Sequence, residues 1–121
     1  MPKAPDPRTI AAANGVGSDT AFGAVTPPLH LSTTYLFDGF EGEGRYAYSR
    51  TANPTRDQLA DTLAKLEGGA GAVVTSSGMA AVDLVLSQVE PGRLVVAPHD
   101  CYGGTYRLLA ARAERRQFEI A

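Results

Sequence analysis

The sequence predicts an α/β fold built on parallel strands, and three observations predict it. A short β-branched run, Ala72-Val73-Val74-Thr75, is followed by Val82, Val85, Leu86 and Val89 at helical spacing. The turn Glu90-Pro91-Gly92 then leads into a second apolar run, Leu94-Val95-Val96-Ala97. Strand, crossover helix and strand in that order form a βαβ unit, which is parallel and almost always right-handed. A third run, Gln117 to Ala121, follows another helix, capped by Thr105 and running to about Arg116. With 121 residues, 44% hydrophobic and 20% charged, the composition is that of a globular domain.

In chain order, residues 1–55 read as an extended amino-terminal arm and subunit-contact segment, and 56–121 as the first, incomplete part of an α/β domain. Prolines at 2, 5, 7, 27 and 28 and glycines at 15, 17, 23, 39, 42 and 44 leave room for one short helix, Arg8 to Asn14. The stretch from Thr26 to Tyr35 is extended, with Leu29, Leu31 and Tyr35 available for burial against another subunit or the rest of a larger domain. Asn53-Pro54 fits Ncap and N1, and Thr55 with Gln58 fits a capping box, so a helix starts in this window under either arrangement. It runs to about Glu67 and stops at Gly68-Gly69. Leu59, Leu63 and Leu66 line one of its faces, and Asp61 with Lys65 forms an i, i+4 pair on the other.

Charge and cysteine usage exclude several function classes. The net charge is −2 with no basic run, and Arg112, Arg115 and Arg116 read as a solvated helix face, so nucleic acid is not an expected partner. Cys101 is the single cysteine, so no intramolecular disulfide forms. The opening Met-Pro-Lys-Ala-Pro-Asp-Pro has no apolar core, and neither secretion nor a membrane span is expected. The chain reads as cytoplasmic. No second ligand is spaced to join His30, so no metal site is expected.

The chemistry concentrates at the corner Thr75-Ser76-Ser77-Gly78-Met79. Gly78 allows close backbone approach, the first helical turn leaves N–H groups unpaired, and the macrodipole is positive there. Such a corner can bind phosphate, although Ser76 or Ser77 can equally be an ordinary cap. Tyr48 and Arg50, two apart on a strand-like segment, face one way and can clamp an oxyanion, although they can equally be a surface pair. The loop Pro98 to Gly104 leaves the carboxyl end of the second strand, on the same edge as the Ser-Gly corner, so both loops can line one crevice.

Four motifs stand in one order and spacing: Tyr48-Ser49-Arg50-x-x-Asn53-Pro54-Thr55, Leu66-Glu67-Gly68-Gly69, Ser77-Gly78-Met79-Ala80 and Asp100-x-Tyr102-Gly103-Gly104-Thr105. Together they resemble the Cys/Met-metabolism family of pyridoxal-phosphate enzymes, over nearly the whole chain from about Ile10. The wording of Val25 to Tyr35 and of Ala97 to Leu108 is most similar to its γ-synthase branch. The resemblance implies the start of an aspartate-aminotransferase-like, fold type I large domain, with pyridoxal 5'-phosphate as cofactor. It implies cofactor phosphate on the N–H groups of Gly78 and Met79, and Tyr48 and Arg50 reaching it from the neighbouring subunit. It places Tyr102 flat against the pyridine ring, with a possible part in proton transfer, and Arg107 at a substrate carboxylate. It implies small amino-acid substrates and a homo-oligomer, a dimer of dimers. The reaction implied is γ-replacement on an activated homoserine by cysteine, giving cystathionine; lyases and sulfhydrylases of the same family are the alternatives.

The sequence also departs from that family. Position 47 is alanine where some γ-synthases carry a carboxylate, and position 51 is threonine in place of a second arginine. The only lysines are Lys3 and Lys65, neither in a motif suited to the Schiff base that a pyridoxal enzyme requires. The expectation is therefore an amino-terminal portion that is inactive alone, or a fragment that associates with full-length protomers. Cys101 beside the site is expected to be structural. A dinucleotide-binding unit with Asp100 on a ribose is a third reading, weakened because the corner lacks the G-x-G-x-x-G pattern.

Overall fold

Proline placement sets where the first two helices begin. In a computed structural model, which describes residues 5–40, 42 and 44–121, α1 spans Pro7–Ala13 and α2 spans Pro54–Glu67, each with proline in its first turn. There the missing N–H costs nothing and the fixed φ suits the helix. Asp6 caps α1. Asn53 caps α2, its side-chain oxygen accepting from the N–H groups of Thr55 and Arg56 at 2.9 and 3.3 Å. The capping box of Thr55 with Gln58 does not form. The Thr55 hydroxyl instead accepts from the His30 N–H at 2.9 Å. At its other end α2 stops on Gly68 in the left-handed region, φ 64°.

Two compact units divide the chain, the first ending at Val74 and the second running Thr75–Ala121. Among the described residues, nothing in the first unit is fully buried. It is tied together by polar contacts. The Asn14 amide donates to Asp61 at 2.9 Å and to Thr62 at 2.8 Å, and Lys65 donates to both Asn14 and Asp61, at 2.8 and 2.7 Å. These groups lie on the polar side of α2, so Leu59, Leu63 and Leu66 stay outward. Of the arm residues available for burial, Tyr35 is half-buried and Leu29 and Leu31 are exposed. Lys3 lies outside the described residues.

The second unit holds α3 (Gly78–Leu86), β1 (Leu94–Val95), α4 (Gly103–Glu114) and β2 (Glu119–Ile120). β1 and β2 pair in parallel, Leu94 opposite Glu119 and Val95 opposite Ile120. Two further bonds, Ala121 N–H to the Val95 carbonyl and Ala97 N–H to the Ala121 carbonyl, extend the ladder. The observed βαβ unit is thus β1-α4-β2, one crossover downstream of the expected one. Residues 72–75 have no ladder partner among the described residues, and Val73 is exposed. A strand exists only through its neighbour's N–H and C=O groups, however suitable its side chains.

Leu86, Leu109 and Phe118 form the buried core, with Val82, Val89, Val95, Ala97 and Leu108 packed around it. Helices α3 and α4, strand β1 and the residue before β2 each contribute. Helix α3 ends at Leu86, short of the expected Val89, and Val85 faces solvent. Helix α4 starts at Gly103, two residues before Thr105, and Tyr102 stands at its Ncap without a side-chain bond. Arg115 and Arg116 are exposed, as a solvated face requires, but Arg112 is not. Its side chain is 17% exposed and its guanidinium donates to the Asp83 carboxylate, to the Asp83 carbonyl at 3.4 Å and to Gln117 Oε1 at 2.8 Å. The Gln117 amide donates in turn to the Leu86 carbonyl at 3.3 Å. One residue therefore ties α4, α3 and the approach to β2.

Arg112→Ala is expected to lower the unfolding free energy by about 1–3 kcal/mol, because it leaves Asp83 and Gln117 without their charged donor. Lys65→Ala, at a half-exposed pair, should cost under about 1 kcal/mol. Urea midpoints of the two variants compare them; equal losses would deny Arg112 its special place.

Candidate functional site

The Ser-Gly corner starts α3 with a specific cap. Ser77 has extended dihedrals, φ −160° and ψ 160°, and its hydroxyl accepts from the Ala80 N–H at 3.1 Å. The Ser77 carbonyl accepts from Ala81 N–H at 3.1 Å and from the Thr75 hydroxyl at 2.9 Å. Ser77, not Ser76, is thus the cap. Within the first turn the N–H groups of Gly78 and Met79 have no acceptor among the described residues, as the geometry of a helix start requires. Gly78 is exposed, and a methyl group added to it would meet nothing within 4 Å. An anion can approach both donors.

Helix α4 brings Tyr102 to the same place. Its ring, 71% exposed, folds back over Gly104: a methyl group on Gly104 would lie 2.5 Å from Tyr102 Cε1 and 3.0 Å from Met79 Sδ. The Thr105 hydroxyl points at the same sulfur, 4.0 Å away. The structure therefore joins Met79, Tyr102, Gly104 and Thr105 into one cluster beside the unpaired donors. Arg107 turns toward the start of its own helix, its Nη1 3.5 Å from where a methyl on Gly103 would sit. Cys101 is half-buried. It lines a cavity of about 310 Å³ with His99, Tyr106, Leu109 and Ile120.

In the first unit, Tyr48 and Arg50 meet each other directly, with Arg50 Cζ 5.0 Å from the centre of the Tyr48 ring. Their common direction has a different origin from strand alternation. The extended run pairs with Thr33 to Tyr35 through Tyr35 N–H to Ala47 carbonyl and Ser49 N–H to Thr33 carbonyl, and then turns. Thr51 and Ala52 N–H groups both return to the Tyr48 carbonyl, and the Thr51 hydroxyl adds a third bond at 2.8 Å. Arg56 donates to the carbonyls of Ser49 and Arg50 at 3.2 and 3.5 Å. The turn carries Arg50 back over the ring, where cation and aromatic face attract. Both side chains are exposed.

A separate cleft of about 750 Å³ in this unit is lined by Asp19, His30, Arg45, Tyr46 and Asp57, among others. Burial, with the Asp57 carboxylate beside it, pushes the Tyr46 phenol up. The Asp61 carboxyl is held below its usual range by Lys65 and Asn14. Reasoning from sequence did not find the side chain of Met79 or the role of Gly104. Spacing carries no signal for either, since both depend on how α3 and α4 pack.

Comparison with known proteins shows what the chain is similar to. The profile of "Cys/Met metabolism PLP-dependent enzyme" matches residues 8–121. Cystathionine gamma-synthase of Escherichia coli (strain K12) is 51% identical over 113 residues, 93% of this chain and 29% of that protein. Cystathionine beta-lyase of Lactococcus lactis subsp. cremoris (strain MG1363) is 40% identical over 95 residues, 78% of this chain and 25% of that protein. The crystal structure of cystathionine gamma synthase from Xanthomonas oryzae pv. oryzae, in complex with aminoacrylate and cysteine, superposes with a TM-score of 0.91. It is 49% identical and covers 100% of this chain and 31% of its own. The chain thus spans less than a third of the length of these relatives.

Replacing Ser77 by alanine should remove the cap of α3 and cost about 1 kcal/mol of stability, whereas Ser76→Ala should be close to neutral. Thermal unfolding followed by helical circular dichroism distinguishes the two serines.

Proposed function

This chain belongs to the Cys/Met metabolism family of pyridoxal-phosphate-dependent enzymes, with their fold type I architecture, and from that premise we propose that it carries the phosphate-and-ring end of a cystathionine gamma-synthase cofactor site. One observation carries this reading: the unpaired N–H groups of Gly78 and Met79 open beside an exposed aromatic ring, Tyr102, inside a single compact unit. The residues fit the group. Two backbone donors at a helix start suit a phosphate, and a free ring face suits a pyridine. Pyridoxal phosphate, when bound, supplies an electron sink for bonds at the substrate's α-carbon.

The roles of the chain's own residues follow from their chemistry. Gly78 and Met79 hold the phosphate through their backbone, while Tyr48 and Arg50 of a second copy reach it with a phenol and a planar guanidinium. Arg50 is suited to this because its fork can form two charge-assisted bonds to one oxyanion. Tyr102 orients the cofactor ring by offset stacking, worth about 0.5–1.5 kcal/mol beyond burial. Its phenol is the group of this cluster that can hold a proton. Arg107 binds the substrate carboxylate. The overall reaction is displacement at the γ-carbon of an activated homoserine: the thiol sulfur of cysteine forms the new bond and the acyl carboxylate leaves, giving cystathionine. Greater identity to the gamma-synthase than to the beta-lyase favours replacement over cleavage.

Covalent attachment of the cofactor is not a role for Lys65, whose ammonium is engaged by Asp61 and Asn14. Neither Lys65 nor the chain's other lysine, Lys3, stands in a motif suited to the Schiff base, so we read the chain as inactive alone. The exposed apolar residues of its first unit, Phe22, Leu29, Leu31 and Leu36 among them, support homo-oligomeric contact.

Arg50→Ala is expected to weaken pyridoxal phosphate retention more than Arg107→Ala, as dialysis followed by absorbance would measure. Equal retention would overturn the division of roles. Tyr102→Phe should keep most of the binding and Tyr102→Ala lose more, since stacking uses the ring. Borohydride reduction with pyridoxal phosphate present should leave no stoichiometric adduct on Lys65 by mass spectrometry.

A further inference from the structure

We propose that Gly104 is a positioning residue whose missing Cβ seats the Tyr102 ring against Met79, and so sets the aromatic face that a pyridoxal ring stacks on. The inference rests on the reading of Tyr102 as that stacking surface.

The backbone does not demand glycine at this position. Gly104 lies in the first turn of α4 and is not among the residues with positive φ. Alanine is the better helix former there. What excludes a side chain is contact: a methyl group at 104 would stand 2.5 and 3.1 Å from Cε1 and Cδ1 of Tyr102 and 3.0 Å from Met79 Sδ. Such separations are far inside ordinary carbon contact at about 3.5–4.0 Å. Its neighbour is a built-in control, because a methyl at Gly103 would meet only Arg107 Nη1, at an ordinary 3.5 Å. Of two consecutive glycines without positive φ, only the second has other side chains where its own would be.

The consequence falls on the ring and not on the fold. Tyr102 is 71% exposed and stands at the Ncap without a side-chain cap bond, so its ring is free to move when the space at Gly104 is filled. A methyl at 104 swings the ring outward and leaves α4 intact. The Met79 sulfur, 4.0 Å from the Thr105 hydroxyl, then loses an aromatic partner within the roughly 5 Å reach of sulfur–ring contacts. Because Met79 also offers its N–H at the start of α3, ring position and phosphate position are set by the same few atoms.

The test uses the whole chain with methionine methyls labelled with carbon-13. The sequence holds only Met1 and Met79, so the Met79 signal is readily assigned. In the parent this signal is expected to carry a ring-current shift that Tyr102→Ala removes. Gly104→Ala should remove it too, Gly103→Ala should not, and all variants should keep parental helical circular dichroism. Pyridoxal phosphate titrated into the same samples should bind about two- to tenfold more weakly to Gly104→Ala than to the parent, the worth of one stacked contact. In a Tyr102→Ala background, adding Gly104→Ala should change neither the methyl shift nor the affinity. A Met79 signal unmoved by Gly104→Ala, or an equal loss of affinity in the Tyr102→Ala background, would overturn the inference while leaving the cofactor site standing. A parent chain whose signals do not respond to pyridoxal phosphate would overturn the cofactor reading, and this role with it.

Discussion

The guanidinium of Arg112 is the contact on which the second unit depends. That unit has only three buried side chains, Leu86, Leu109 and Phe118. So small a core cannot alone set the register of two helices and a two-residue sheet. Arg112 grips Asp83 near the end of α3 and Gln117 just before β2, and Gln117 takes the Leu86 carbonyl freed where α3 ends. With the far ends of α3 and α4 locked together, their starts are brought side by side. Those starts carry Gly78, Met79 and Tyr102. A charged group at the far ends of the two helices thus helps to bring Gly78, Met79 and Tyr102 together.

The first unit is built on a different principle. Its apolar residues are separated by proline and glycine and have no buried partner, so its order comes from caps, turns and polar side chains. Asn53 does several jobs at once: it caps α2 with its oxygen and, through its amide nitrogen, holds the His30 carbonyl at 3.0 Å and the Tyr35 hydroxyl at 3.2 Å. Arg56 and Thr51 fasten the turn that follows Tyr48. Such contacts give precise local geometry without much stability, because each is partly shared with water. Surface that a core would have hidden remains free to meet another subunit.

Two of the departures from the family's pattern, at positions 47 and 51, flank Tyr48, one on the extended run before it and one in the turn after it, and the structure gives each a local role. Thr51 spends its hydroxyl on the Tyr48 carbonyl, and Ala47 contributes its carbonyl to the Tyr35 N–H. Neither position offers a charge to a substrate.

The sequence by itself determined the α/β class, both helices of the first unit, the proline start and glycine stop of α2, the Ser-Gly helix start and the motif order that belongs to the family. Each of these is written in neighbouring residues: a cap is one side chain and two N–H groups, and an amphipathic helix is a spacing. Three features were decided only by tertiary structure. The run at 72–75 has strand composition but no neighbour to pair with, so the parallel pairing falls to β1 and β2. Arg112 has the composition of a solvated face, and burial against α3 makes it a structural hub. Gly104 looks like half of an ordinary Gly-Gly pair, and only the fold places the Tyr102 ring and the Met79 sulfur where its side chain would be. Pairing, burial and exclusion are relations between segments distant in sequence, and local spacing encodes none of them.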